Sequence, residues 1–133
     1  MATTLNAVSG TGLVQTSDGS GVVKLQSNGV ATNALAWANF NGTTTVSIRA
    51  SYNISSITRN GSGDYTLNFT SAMTDANYAF MGSGGGGTSS LFATVTIDGT
   101  TPRTTSLIRF VTTYLNGTAS TDNPYVNVAI FGN

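Results

Sequence analysis

The chain has 133 residues, of which only 8% are charged, and its formal net charge is zero. A typical globular chain carries about 25% charged residues. Solubility must therefore come from Ser, Thr and Asn, and the basic footprint of a nucleic-acid or anionic-membrane binder is excluded.

Cysteine and histidine are absent, which removes disulfides, thiolate chemistry and the usual zinc sites. A content of 39% hydrophobic residues with regular aromatic alternation speaks against disorder. The length fits one domain that buries about two-thirds of its unfolded surface. Met1-Ala2-Thr3-Thr4-Leu5-Asn6 lacks the basic and apolar parts of a secretory leader, so synthesis in a cytosol is expected. No apolar run approaches the ~20 residues of a membrane-spanning helix, and no membrane insertion is expected.

Residues 1–33 contain no aromatic side chain and are punctuated by Gly10, Gly12, Gly19, Gly21 and Gly29. Two short apolar pieces, Leu13-Val14 and Val22-Val23-Lys24-Leu25, lie between them. Such a segment has little to bury by itself. It reads either as an extended β arm that anchors to a larger assembly or as a hairpin folded onto its own domain. The first is the domain reading adopted: an arm over 1–33 and a β-sandwich over 34–133.

From Ala34 the apolar density rises, with Leu35, Trp37 and Phe40 leading in. Thr45, Ser47, Arg49 and Ser51 alternate with Val46, Ile48, Ala50 and Tyr52, a period of two that predicts a strand with one set inside and Arg49 on the polar face. Tyr65, Leu67 and Phe69 alternate with Thr66 and Asn68 in the same way. Between them, Asn60-Gly61-Ser62-Gly63-Asp64 supplies the left-handed positions of a hairpin turn. Trp37, Phe40, Tyr65 and Phe69 are the expected core anchors.

Tyr78 to Met81 predicts a further strand, and Gly82 to Ser90 a glycine-rich interruption. Leu91–Ile97, Ser106–Tyr114 and Tyr125–Phe131 read as strands, separated by turn signals at Asp98-Gly99, Asn116-Gly117 and Asn123-Pro124. Short strands at about 8–12-residue spacing predict an all-β antiparallel sandwich of jelly-roll type. No stretch has helical periodicity with caps.

Gly82, Gly84 and Gly87 match the spacing of a dinucleotide-binding loop. That loop needs a following helix to hold the pyrophosphate, and the β-forming Leu91-Phe92-Ala93-Thr94-Val95 follows instead. Gly84, Gly85, Gly86, Gly87 and Thr88 are read as a solvent-exposed loop, adaptable enough to serve as a partner-contact surface. Glu is also missing from the chain, and Asp18, Asp64, Asp75, Asp98 and Asp122 all stand in predicted turns, where Asp caps the backbone. No catalytic residue, metal ligand or cofactor site is assigned, and the chain is read as a non-enzyme. Several Asn-x-Ser/Thr triplets are compositional in so Asn-, Ser- and Thr-rich a sequence. Arg109 shares a face with Leu107 and Val111. Either its stem covers apolar surface at a solvated edge, or it pairs with an Asp of a neighbouring copy across a subunit interface.

Three segments carry a family resemblance: Ala36-Trp37-Ala38-Asn39-Phe40-Asn41-Gly42-Thr43, Ile48-Arg49-Ala50-Ser51-Tyr52-Asn53-Ile54-Ser55-Ser56-Ile57 and Gly63-Asp64-Tyr65-Thr66-Leu67-Asn68-Phe69. With Asp75-Ala76-Asn77-Tyr78 and Val126 to Gly132, they resemble a module at the C-terminal ends of tail-fibre proteins of tailed bacteriophages, especially marine and cyanobacterial ones. The likeness covers roughly the last hundred residues. It implies a surface-exposed, trimeric β domain of a virion, made in the host cytoplasm. Its implied partners are two further copies of itself and, through residues 1–33, other tail or capsid proteins; a host-surface glycan is a third. The leading expectation is a fibre or knob that contacts the host. The alternatives are a capsid decoration protein or head fibre, and a stand-alone lectin stacking sugars on Tyr52, Tyr65, Tyr78, Tyr114 or Tyr125.

Overall fold

The computed structural model describes residues 25–86, 93–101, 103–114 and 119–132, with Ala93 and Thr94 described by their backbone alone. Ten strands and no helix occur among them. They are β1 (Gln26–Ser27), β2 (Val30–Ala31), β3 (Ala36–Asn41), β4 (Ser47–Tyr52), β5 (Ile54–Gly61), β6 (Asp64–Phe69), β7 (Ala79–Gly85), β8 (Ala93–Ile97), β9 (Leu107–Tyr114) and β10 (Tyr125–Phe131).

Eight strands form one antiparallel sheet in the order β4-β3-β10-β7-β8-β9-β6-β5. Apolar residues recur at every second position of β3, β6, β9 and β10, and these positions are buried. One face of each strand must therefore leave water, and the sheet achieves this by folding over on itself. The Phe40 ring of β3 meets the Tyr65 ring of β6 at 5.2 Å and the Phe110 ring of β9 at 6.4 Å, both edge-on. The fold is thus an antiparallel β-sandwich, with β4-β3-β10-β7 as the first layer and β8-β9-β6-β5 as the second. Leu35, Leu67, Ile108, Val126 and Ile130 fill the space around the three rings.

The consecutive strands β4 and β5 lie at opposite ends of the sheet order, so the chain changes layer between them. Asn53 alone makes that corner, in the left-handed region at φ 56°. Asn tolerates this conformation when its side chain is hydrogen-bonded locally. Here Asn53 Nδ2 donates to the carbonyls of Leu35 and Ser71, each at 3.1 Å, and Oδ1 accepts from the Ser71 N–H at 2.7 Å.

One expectation lies mostly outside the described residues, and another needs correction. The predicted arm lies outside the described residues up to position 24. Residues 26–31 form the short β1-β2 hairpin around Asn28-Gly29, whose φ values of 52° and 79° are those of a type I′ turn. The strand at 47–52 lacks a buried face: five of its residues are exposed and Tyr52 is half-buried. β4 is an edge strand with one neighbour, and Ile48, though it lies beside Phe40 in the register, remains 39% exposed.

Candidate functional site

Among the described residues, the exposed aromatic side chains Trp37 and Tyr125 lie on the outer face of the first layer. Alternation turns Ala36, Ala38 and Phe40 inward, so Trp37, Asn39 and Asn41 point out. The registers then place residues in rows across four strands, since directly paired residues share a face. One row reads Tyr52, Trp37, Ala129, Met81; the next reads Ala50, Asn39, Asn127, Ser83. Asn39 Nδ2 donates to Asn127 Oδ1 at 2.5 Å, and Asn127 Nδ2 lies 3.5 Å from Ser83 Oγ. At one end of the face Arg49 lies 4.5 Å above the Tyr125 ring and donates from Nη2 to the Pro124 carbonyl at 2.6 Å. Between β7 and β10 a shallow open depression of about 310 Å³ is lined by Met81, Gly82, Ser83, Asn127, Val128 and Ala129.

Trp37 belongs to this face and not to the core. The expected burial fails because Trp37 falls on the odd, outward positions of β3, which leaves it 39% exposed. Phe40, Tyr65 and Phe69 are buried. Of the tyrosines considered for sugar stacking, Tyr65 and Tyr78 are inside the fold, whereas Tyr125 is exposed and Tyr52 half-buried on the outer face.

The glycine-rich interruption starts later than expected. β7 runs through Gly85, with Gly82, Gly84 and Gly85 paired to Val128, Val126 and Tyr125. Gly84 and Gly85 are therefore strand and not loop. The reason is steric: a Cβ on Gly82 would stand 2.7 Å from Val95 Cγ1, so this strand needs glycine to let another side chain close in. Gly86 follows at φ 83° beneath the Tyr125 ring. Gly87 and Thr88 lie outside the described residues.

Arg109 is likewise reassigned. Its Nε and Nη2 donate to the two carboxylate oxygens of Asp64 at 2.9 and 2.6 Å, and Nε lies 3.5 Å from Asp98. The pair forms within one chain, across the β6–β9 ladder, which places Thr66 opposite Arg109 and Asp64 opposite Val111. The Arg109 hydrogen bond holds the Asp64 carboxyl below the usual carboxylate range, assisted by Asn60. Asp75 and Asp98 do cap turns, accepting from the N–H of Asn77 at 2.6 Å and of Thr100 at 3.2 Å. Asp64 and Asp122 instead pair with arginines, which the turn reading missed. No group of three or more potential metal ligands occurs among the described residues.

No family model, curated protein or solved structure matches this chain. The geometry itself singles out the outer face of the first layer. It combines π surfaces, amides and small side chains on a rigid strand frame, with Arg49 as the one charged residue in its four strands. Tyr, Trp, Met and Arg are the residue types concentrated in recognition surfaces. The sequence carries a signal for this face: Asn39 and Asn127 sit inside strand alternation, where amides are unusual, and not in turns.

Proposed function

We propose that the chain is a structural protein of a tailed-phage virion, displayed at the exposed surface as a homotrimeric fibre or knob that contacts the host. Two kinds of support converge. The resembling segments Ala36–Thr43, Ile48–Ile57 and Gly63–Phe69 coincide with β3, β4–β5 and β6, the consecutive strands that carry the chain from one layer to the other. The observation that carries the reading is the outer face of the first layer, an exposed, nearly uncharged contact surface held on hydrogen-bonded strands. Residues 1–33 are assigned to attachment to other virion proteins, and assembly to the host cytoplasm.

The test is location and mass. A virion reconstruction should place the sandwich on the tail exterior in groups of three, and sedimentation of the isolated protein should give three times the chain mass of 13.6 kDa. A monomer in solution and on the particle overturns the trimer. Density confined to the capsid shell replaces the fibre reading with capsid decoration.

A further inference from the structure

We infer that the outer face of the first layer binds a neutral saccharide, with Trp37 as the stacking platform and the Asn39–Asn127–Ser83 row as its hydrogen-bonding edge. This names a ligand class for the contact surface and rests on that reading of it.

The two outer faces of the sandwich differ in what they leave for a ligand. On the second layer the outward groups include charged side chains that are paired with one another. Arg109 holds Asp64, Asn60 donates to Asp64 and Thr66, and Asn68 donates to Ser56 Oγ. On the first layer the ladder uses one amide hydrogen of Asn39 and one of Asn127. It thereby fixes both amide planes and leaves Asn39 Oδ1 and a second N–H on each residue to face solvent.

Trp37 and Asn39 are two residues apart on one strand, as are Ala129 and Asn127 on the next, so the aromatic row lies about 7 Å from the amide row. That spacing lets one sugar ring stack on the indole while its hydroxyls reach the amides. The small Ala129 keeps the floor beside Trp37 low, and with Met81, Ser83 and Asn127 it lines the adjoining depression, whose volume of about 310 Å³ is at the lower end of small-ligand sites.

Charge selects among ligand classes. β3, β4, β7 and β10 contain one charged residue, Arg49, and its guanidinium is already engaged by the Pro124 carbonyl and the Tyr125 ring. A phosphate or a sialic acid would find a single counter-charge, Arg49, held against Pro124 and Tyr125 at one end of the face, and none in the rows that carry Trp37 and Asn39. A wholly apolar partner would bury the outward amide hydrogens unpaired, at a cost of several-fold to a hundredfold in affinity for each. A neutral polyhydroxyl ligand satisfies both constraints, because hydroxyls donate and accept as the amides do.

Trp37 is the sole tryptophan, so its emission reports directly on the site. The full chain should be titrated with maltohexaose, mannohexaose and chitohexaose, with sialyllactose as the charged comparison. At least one neutral probe should give a saturable blue shift. Asn127→Ala should weaken that binding about tenfold. Trp37→Ala should abolish it by calorimetry while circular dichroism stays unchanged. The Arg109→Gln variant, on the other layer, should bind as the parent does. Absence of binding to all three neutral probes overturns the inference, as does a preference for sialyllactose. A blue shift that depends on protein concentration alone, without sugar, assigns the face to a second copy and also overturns it. None of these outcomes decides the virion reading, which stands or falls on where the chain sits in the particle.

Discussion

Arg59 and Asp122 meet in a two-point ion pair across 63 residues of sequence, Nε donating to Oδ1 at 3.0 Å and Nη2 to Oδ2 at 2.7 Å. The same carboxylate accepts from the Gly63 N–H at 2.8 Å and lies 3.0 Å from the Tyr65 hydroxyl, which shares its proton with the Gly42 carbonyl at 2.8 Å. One side chain thus fastens the β5–β6 turn to the segment that leads into β10.

Asp122→Ala should therefore destabilise the fold by about 1–3 kcal/mol, the range for losing partnered charge-assisted hydrogen bonds that are not fully desolvated. Urea unfolding should show a lower midpoint with an unchanged slope. A midpoint equal to the parent's would mean that water replaces the carboxylate without cost.

Stability should be flat across neutral pH and fall at both extremes. Burial pushes the Asp122 carboxyl up, but hydrogen bonds from Arg59, Gly63 and Tyr65 outweigh it and leave the group below its ordinary value. Asp64, beside Arg109, and Asp98, held by Thr100, are lowered as well. Groups depressed in the folded state stabilise it above the unfolded carboxylate pKa of about 4, and that contribution is lost as pH falls further. Burial raises Tyr65 and Tyr78. Their contribution is complete below the unfolded phenol pKa of about 10 and is lost as pH rises beyond it. With no histidine in the chain, melting temperatures between about pH 5 and 9 should agree closely. A transition near neutrality would contradict this.

Trp37→Ala should cost about 1–2 kcal/mol, because the side chain is only partly withdrawn from water. Phe40→Ala, at a fully buried ring, should cost about 3–5 kcal/mol. Denaturant titration of both variants checks the contrast, and the emission of Trp37 should be red-shifted and open to collisional quenching.

The alternation of Tyr65-Leu67-Phe69 and the turn at Gly63 were legible because a half-buried strand writes its two faces directly into sequence. Trp37 was misread for a related reason. Its neighbours Leu35 and Phe40 are both buried, yet only the parity of Ala36, Ala38 and Phe40 reveals which side is inside, and two of those are alanines with a weak signal. The exposure of β4 could not be read at all, since strand order decides which strand is an edge. The glycine run was misjudged because composition alone does not separate a loose loop from a strand that needs room for Val95. The hydrogen-bonded pairs Arg59–Asp122 and Arg109–Asp64 join residues at least 45 positions apart, beyond the reach of any local pattern.

Two neighbouring glycine positions should respond oppositely to alanine. At Gly82 the new Cβ would stand 2.7 Å from Val95 Cγ1 and 3.1 Å from the Asn127 carbonyl oxygen, so Gly82→Ala should cost about 1–3 kcal/mol through overpacking. At Gly85 nothing lies within 4 Å, and Gly85→Ala should be neutral or stabilise by about 0.4–1 kcal/mol by restricting the unfolded chain. Thermal melts of the two variants decide it. Equal shifts would show that the inward side of β7 yields freely.

β10 lies between β3 and β7 in the sheet order, which has a consequence for synthesis on the ribosome. β3 and β4 emerge early and can pair as a hairpin, but the inner partner of β3 consists of residues 126–130. Until those residues clear the exit tunnel, the first layer is two half-sheets with the Phe40 side uncovered, and such exposed apolar edges invite aggregation. Closing the sheet at the last step also demands contacts of long sequence separation, which slows folding. Prematurely terminated chains would then be sticky by-products and not smaller working domains. The first layer is completed by β10, in the way an arch is closed by its keystone.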